Sequence, residues 1–155
     1  MGSPPYPAMT IAKWFIAWAE AEDDELSNLK LQKLLYYAQG HYLARCGSPL
    51  FTDEMQAWVH GPVVPPVYRA FKKFGSSPLM LPDTDPFTWD QVDEATADFL
   101  GQVWNTYGCY SAGRLRNMTH DEPPWRDNWR GDDERGAAIP DDDMQAYFQQ
   151  FAATG

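Results

Sequence analysis

Five side chains in this sequence have the chemistry of nucleophiles, proton carriers or metal ligands: three histidines and two cysteines. A hydrolase would need a thiol activated by an imidazole, and Cys46 or Cys109 with His120 is the pair that the chain offers. Neither cysteine stands in a nucleophile elbow or another hydrolase signature. A Cys/His-dependent hydrolase therefore stays an alternative without a supporting motif, and we predict no catalytic residue.

The histidines also lack the neighbours that a metal or catalytic site requires. His41 has neither His nor Glu four residues on, as a helical metal pair would need. His60 precedes a Gly-Pro step, in a turn where an imidazole commonly bonds a backbone carbonyl. His120 is followed by Asp121 and Glu122, and neighbouring carboxylates predict a raised pKa for its imidazole.

Motifs that bind cofactors are absent from the sequence as well. Neither GxxxxGK[ST] nor GxGxxG occurs, so the loops that hold nucleotide phosphates are not encoded. The aspartate clusters at 23–24, 132–133 and 141–143 lack calcium-loop spacing and are typical of solvated surface or helix starts. Two cysteines without CxxC spacing predict buried thiols rather than a disulfide framework. We expect no cofactor and no metal.

The net charge of −10 is concentrated in one part of the chain. Residues 1–50 carry a net charge of −1, so the remaining −9 lies between residues 51 and 155. An acidic field repels phosphate backbones, which disfavours nucleic acid as a partner, and it attracts basic proteins. No apolar run reaches the roughly 18 residues of a membrane span. No signal peptide is evident either, so the cytoplasm is the expected location.

Hydrophobic periodicity predicts helices in the first third of the chain. Thr10 caps a first helix, and Ser27 caps a longer second helix that Gly47 ends. The apolar arc of this second helix is wide, so we expect other elements to contact it on several sides. Gly40 lies inside it and costs about 1 kcal/mol relative to alanine, which predicts the close approach of another backbone.

The middle and end of the chain read as one hairpin followed by further helices. Alternation at residues 50–51 and 56–59 predicts a small β-hairpin, ended by Gly61-Pro62, and two prolines at 65–66 open a helix. The later helix starts are predicted at Thr88 (with Gln91 in a capping box), Ser111 and Asp141. The stripe expected to face the core from the helix after Thr88 is Val92, Thr96, Phe99 and Val103.

Together these elements predict a mainly α fold, with one compact domain of about five to seven helices and one small β-hairpin. At 155 residues and 44% apolar composition, such a domain can bury about two-thirds of its unfolded surface. We expect residues 1–8 to form a flexible lead and residues 9–155 to form the domain.

Aromatic side chains are dense in two segments. Trp58 lies in the stretch AWVHGPVVPPVYRAFKKFG, and the segment PPWRDNWRG interleaves Trp125 and Trp129 with two arginines. Trp and Arg are both favoured at protein interfaces. The second segment is therefore either a packed lid or a binding patch.

Three segments taken together resemble one family: LKLQKLLYYAQGHYLA (29–44), EMQAWVHGPVVPPVYRAFKKFG (54–75) and LRNMTHDEPPW (115–125). Their order and spacing resemble the Panacea antitoxin domain, which is phage-associated, and the likeness spans nearly the whole chain. The residues that match its motifs or are candidates for partner contact are Gln32, Lys33, Tyr36, Tyr37, Gln39, Gly40, Trp58, His60, Gly61, Pro62, Val63, Tyr68, Phe71, Thr119, His120 and Trp125.

The resemblance implies an antitoxin of a toxin–antitoxin system, often carried on prophages, that binds its cognate protein toxin directly and blocks it. It implies no enzymatic activity, and the acidity of the chain favours a basic toxin. An adaptor that delivers a bound toxin to a cellular protease is an alternative with the same surface requirement. A DNA-binding repressor would need a basic recognition helix, for which VYRAFKKFG is the short candidate. The sequence does not predict an oligomeric state.

Overall fold

Seven α-helices and a three-stranded sheet form the described part of the protein, a computed structural model that describes residues 2–131 and 136–152. The helices are α1 (Ala8–Ala21), α2 (Asn28–Cys46), α3 (Pro65–Phe71), α4 (Glu94–Tyr107), α5 (Ala112–His120), α6 (Pro123–Arg126) and α7 (Asp141–Ala152). The strands are β1 (Met55–Trp58), β2 (Gly61–Val63) and β3 (Ala137–Ile139). Short 3-10 turns lie at Lys72–Phe74 and Trp89–Gln91. The mainly α fold is confirmed.

Helix α2 is the centre of the fold, as its wide apolar arc predicts. Helices α1, α3, α4, α5 and α7 and strand β2 all contact it. Its ends follow local rules: the Ser27 hydroxyl accepts the Lys30 N–H at 3.3 Å, and Gly47 ends the helix with φ at 73°. Ser111 likewise caps α5 by accepting the Arg114 N–H at 3.1 Å.

Two helix starts predicted from the sequence are wrong. In both helices, an aspartate side chain accepts a backbone N–H group at the start that the structure shows. Helix α1 begins at Ala8 rather than after Thr10, because the Asp53 carboxylate accepts the Ala8 N–H at 2.8 Å from 45 positions away. Helix α4 begins after Asp93, whose side chain accepts the Thr96 N–H at 3.2 Å, while the Thr88 segment forms a separate 3-10 turn. The stripe predicted for this helix is buried as expected.

The hairpin exists, and β1 overlaps the strand predicted at residues 56–59, but the partner of β1 in the hairpin is β2 rather than residues 50–51. Strands β1 and β2 pair antiparallel with Trp58 opposite Gly61 and Gln56 opposite Val63, so the Gly61-Pro62 step is part of the hairpin rather than its end. Strand β2 is at the edge of the sheet order β2-β1-β3, where a proline lacking an N–H is tolerated. Strand β3, which pairs with β1, has no counterpart in the sequence prediction.

Residues 50–51, predicted as a hairpin strand, pair instead with the N-terminal segment. The Tyr6 N–H donates to the Leu50 carbonyl at 2.8 Å, and the Thr52 N–H donates to the Tyr6 carbonyl at 3.2 Å. Tyr6 is 5% exposed, and its hydroxyl donates to the Asp93 carboxylate. Within the segment expected to be a flexible lead, Tyr6 therefore makes backbone and side-chain contacts with the domain.

The neighbour of Gly40 is a side chain rather than the backbone that we predicted. A Cβ at this position would lie 2.2 Å from ring carbons of Phe148, which is fully buried on α7. Helices α2 and α7 therefore pack closely because position 40 has no side chain.

Both cysteines differ from the prediction of buried thiols. Cys46 at the end of α2 and Cys109 after α4 are exposed. In residues 2–131 and 136–152, every helix is too short or too polar to cross a membrane.

Candidate functional site

The polar residues of the α2 motif are buried, and they hold other segments of the chain in place. Gln39 is 1% exposed and bonds three backbone groups. Its Oε1 accepts the N–H groups of Leu50 at 2.9 Å and Phe51 at 3.2 Å, and its Nε2 donates to the Phe51 carbonyl at 2.9 Å. This amide fastens the segment before β1 to the central helix.

Gln32 holds another segment in the same way, two turns closer to the start of α2. Its Oε1 accepts the Val64 N–H at 2.9 Å, and its Nε2 donates to Asn28 Oδ1 at 3.0 Å. Asn28 in turn donates to the Tyr68 carbonyl at 3.0 Å. The pair of amides fixes the start and the middle of α3 relative to α2.

Glu122 connects the same helix to the turn between α5 and α6. Its two carboxylate oxygens each accept a phenol hydroxyl at 2.9 Å, one from Tyr36 and one from Tyr37. Burial raises the pKa of Glu122 to about 7, although both phenol hydrogen bonds act to lower it. Sequence reasoning considered Glu122 only as a neighbour of His120, because a single glutamate before two prolines has no periodic signal.

We expect the Glu122→Gln variant to lose pH-dependent stability that the wild type has between pH 4.5 and about 7. Folding raises the pKa of Glu122, so its stabilising effect is complete below pH 4.5 and is lost as the pH rises through about 7. The difference between the two proteins should change by roughly 2 kcal/mol across this range.

Urea unfolding of both proteins at pH 5 and pH 8 measures this difference. His41, whose pKa burial lowers to about 4, is present in both proteins and cancels in the comparison. Parallel stability profiles for the two proteins would contradict the assignment to Glu122.

Lys33 lies beneath the hairpin and is 1% exposed. Its Nζ donates to the Pro62 carbonyl at 3.4 Å. Lys33 forms no ion pair with any of the described residues. Burial, and then the charge of Arg116, lower the pKa of Lys33 to about 7. Gly61 has φ at 110°, and a Cβ there would lie 2.6 Å from Lys33 Cε and 2.9 Å from Thr119 Oγ1. Glycine at this position therefore lets the hairpin pack directly on α2 and α5.

Trp58 is the half-buried aromatic that this framework presents. Its ring packs edge-on against Tyr68 with centroids 5.2 Å apart, and its Nε1 donates to Gln56 Oε1 at 2.9 Å. Its carbonyl accepts the Trp125 Nε1–H at 2.7 Å. Tyr68 and Gln56 thus hold the indole ring, and Trp125 holds the backbone of the same residue, before any partner binds.

Next to Trp58, the turn of the hairpin exposes one apolar and one titratable side chain. Val59 is 44% exposed, and His60 is exposed beside it. Trp129 stacks on the buried Trp125 with centroids 5.4 Å apart. We call Trp58, Val59, His60, Tyr68 and Trp129 the hairpin face. The segment of Trp125 and Trp129 is accordingly both a packed layer and part of a surface.

His120 differs from its prediction. Its ring stacks on Trp125 with centroids 3.9 Å apart. Burial and the charge of Arg116 lower the pKa of His120, although the sequence predicted that Asp121 would raise it. Partial burial, Arg116 and Lys33 also lower the pKa of His60. The neighbourhood of the hairpin is therefore locally cationic in an acidic protein.

The sixteen candidate residues divide into a buried framework and a small accessible set. Gln32, Lys33, Tyr36, Tyr37, Gln39, Gly40, Gly61, Pro62, Val63, Phe71, Thr119 and Trp125 are buried; Trp58, Tyr68 and His120 are half-buried; and His60 is exposed. Val59 and Trp129 were not among the candidates, although Trp129 was noted as a patch residue. Both residues lie outside the helices and strands, where no periodic pattern reports exposure and the neighbouring elements decide it.

Among the described residues, no hydrogen bond joins either thiol to a histidine; Cys109 Sγ lies 3.9 Å from the Thr106 carbonyl, and His41 Nε2 lies 2.7 Å from the Tyr107 hydroxyl. Within residues 2–131 and 136–152, no group of three or more His, Cys, Asp or Glu side chains is arranged to hold a metal.

Comparison with known proteins identifies related sequences. Residues 31–126 match the family model described as the antitoxin SocA-like, Panacea domain. The chain is also 46% identical over 127 residues to the antitoxin SocA of Caulobacter vibrioides (strain NA1000 / CB15N), an alignment that covers 76% of this chain and 68% of the relative. No solved structure matches the chain. The matched range runs from the buried polar row of α2 through the hairpin to Trp125, and this chain belongs to the SocA-like antitoxin family with its Panacea domain.

Proposed function

We propose that this protein neutralises a cognate protein toxin by direct contact through the hairpin face. Membership of an antitoxin family supports a toxin as the partner and a regulatory role without catalysis. The observation that carries the choice of surface is the fixation of Trp58 by Tyr68, Gln56 and Trp125. A rigid aromatic group loses little conformational entropy on binding, and tryptophan is enriched among the residues that dominate interface energies.

The buried motif supports the same surface from below. Gln32 and Asn28 hold the α3 segment that carries Tyr68, and Lys33 and Gly61 bring the hairpin down onto α2. In this proposal the motif residues act on the toxin indirectly, because they maintain the shape that it contacts. The accessible residues Trp58, Val59 and Tyr68 make the contact themselves.

We further propose that the toxin is basic overall, since the net charge of −10 would attract it and accelerate the encounter. Partial burial and the positive charge of Arg116 lower the pKa of His60 on the hairpin face. The attraction for a basic toxin would therefore come from acidic residues elsewhere on the chain. The acidic pair Asp132 and Asp133 lies outside the described residues.

We expect Val59→Asp to reduce affinity for the toxin by at least about tenfold, because it buries a carboxylate at the centre of the contact. The matched control is Met80→Asp, which places the same charge on a side chain that is 65% exposed in the loop before α4. Both variants should unfold at the wild-type temperature, because both side chains project into solvent.

The measurement is co-expression with the toxic product of an adjacent reading frame, scored as rescue of growth, followed by titration of the purified pair. Rescue lost with Val59→Asp and kept with Met80→Asp supports the hairpin face. Equal rescue by both variants would reject it. The amount of toxin in rescued cells separates masking, which leaves the toxin intact, from delivery to a protease, which removes it.

A further inference from the structure

We propose that a groove between α1, α3 and the loop of residues 78–85 binds an acidic peptide segment that inserts a bulky apolar side chain. The groove is built from residues outside the hairpin face, so this second docking site does not depend on the function proposed above. We refer to it below as the α1–α3 groove.

The α1–α3 groove has the size and lining of a side-chain pocket. Its volume is about 420 Å³, within the range typical of ligand-binding cavities. Met9 of α1, Phe71 and Phe74, and Met80 and Leu81 of the loop supply its apolar walls. A leucine, methionine or phenylalanine side chain would fill a part of this space and exclude water from it.

Met80 lines the α1–α3 groove and is unusually exposed for a large apolar side chain. It is 65% exposed, the most exposed of the large apolar side chains in the described part of the chain. Methionine is flexible and polarizable, so it adapts its shape to an inserted side chain, and surfaces that bind peptides use it often. The exposed position therefore fits a wall that closes on a ligand.

The charges at the rim select an acidic segment. Arg69, Lys72 and Lys73 are exposed on α3 and the turn after it, and within the described residues none of them forms an ion pair. Lys73 also lines the groove itself. Lys73 Nζ lies over the Phe74 ring, 5.6 Å from its centroid, which leaves its charge available. In a chain of net charge −10, three neighbouring cations that form no ion pair within the described residues, beside an apolar cavity, are complementary to carboxylates.

The acidic residues on the other side of the groove do not cancel this charge. Asp85 forms an ion pair with Lys13 across the groove lining, which neutralises both. Asp83 lines the groove and is the remaining carboxylate there. The local balance stays positive, and a peptide that lies along α3 would meet the cations while its apolar side chain enters beside Met80. A membrane surface would be met poorly, because the apolar residues line a concavity.

Selection from a displayed library of random peptides against the whole chain tests the proposal. We expect the enriched peptides to combine Asp or Glu residues with a bulky apolar residue. Synthetic versions should bind at least tenfold more weakly to Met80→Asp and to Ala70→Trp, which fills the groove from its exposed rim without changing charge. The combined variant Arg69→Glu, Lys72→Glu and Lys73→Glu should also bind weakly, whereas Val59→Asp should bind as the wild type does.

Each other outcome would overturn the proposal. These outcomes are no enrichment, enrichment of basic peptides, or binding that is indifferent to both Met80→Asp and Ala70→Trp. A fourth is binding of phosphatidylserine vesicles that Met80→Asp abolishes when no peptide is enriched, since that result would assign the groove to a membrane. Val59→Asp should abolish toxin neutralisation and leave peptide binding unchanged, whereas Met80→Asp should weaken peptide binding and leave toxin neutralisation unchanged. The failure of either proposal is therefore recognised separately.

Discussion

Replacing Gly40 by alanine is expected to destabilise the protein by about 3 kcal/mol, even though alanine is the better helix former. The new Cβ would lie 2.2 Å from two ring carbons of Phe148 and 2.9 Å from a third. Phe148 has no exposed surface and packs against Tyr36 and His41, so a shift of its ring would disturb these contacts. The loss should therefore exceed the gain of about 1 kcal/mol in helix propensity.

The matched control for this prediction is Gly101→Ala. Gly101 also lies inside a helix, α4, but a Cβ there would meet nothing within 4 Å. We expect this change to stabilise the protein by roughly 0.5–1 kcal/mol, so the same substitution has opposite signs at the two positions. Urea unfolding measures both free energies.

A second-site change tests the mechanism directly. Phe148→Leu should cost stability in the wild type but much less in the Gly40→Ala background, because the smaller side chain leaves room for the new methyl group. Additive effects of the two substitutions would mean that the contact between α2 and α7 is not the cause.

Replacing Gln39 by leucine is expected to cost about 3–5 kcal/mol. Leucine has a similar volume, but it leaves three backbone groups without a partner: the N–H groups of Leu50 and Phe51 and the Phe51 carbonyl. Each buried, unsatisfied polar group costs roughly 1–3 kcal/mol. Phe51 is fully buried, so water cannot replace the amide without opening the segment.

Gln102→Leu is the matched control, because Gln102 is exposed on α4 and bonds Arg45 at the surface. It should change the free energy of unfolding by less than about 0.5 kcal/mol. Hydrogen exchange gives a second readout, since the amides of Leu50 and Phe51 should lose protection in Gln39→Leu before the rest of the fold opens. Unchanged protection at these two amides would contradict the proposed role of Gln39.

The helices were largely predictable, because their signals are local. The hydroxyls of Ser27 and Ser111 bond N–H groups three residues away, so the spacing in the sequence already contains the cap. Gly47 ends α2 in a left-handed conformation that glycine adopts without cost. The sheet was less predictable: β3 pairs with β1 from about 80 residues away, and only the folded chain brings such segments together.

The candidate functional site also combines features that the sequence predicts with features that only the tertiary fold determines. The resemblance named Gln39 but neither Glu122 nor Val59, and it could not say that Gln39 and Glu122 bond segments inside the protein while Val59 faces solvent. A polar side chain in a helix has the same sequence signature whether it meets water or a buried carbonyl. The start of α1 was mispredicted for a similar reason. The Asp53 carboxylate that accepts the Ala8 N–H is distant in the sequence and is brought to the helix only by the tertiary fold.

The sequence by itself therefore determined the helical class, the central place of α2 and the family of the chain, since these depend on periodicity, caps and motif order. The tertiary structure alone decided which motif residues form the framework and which form the hairpin face. The reason is that burial depends on which residues pack against a side chain, and these come from distant parts of the sequence. Gly40 is contacted by α7, Lys33 by β2 and Trp58 by α6.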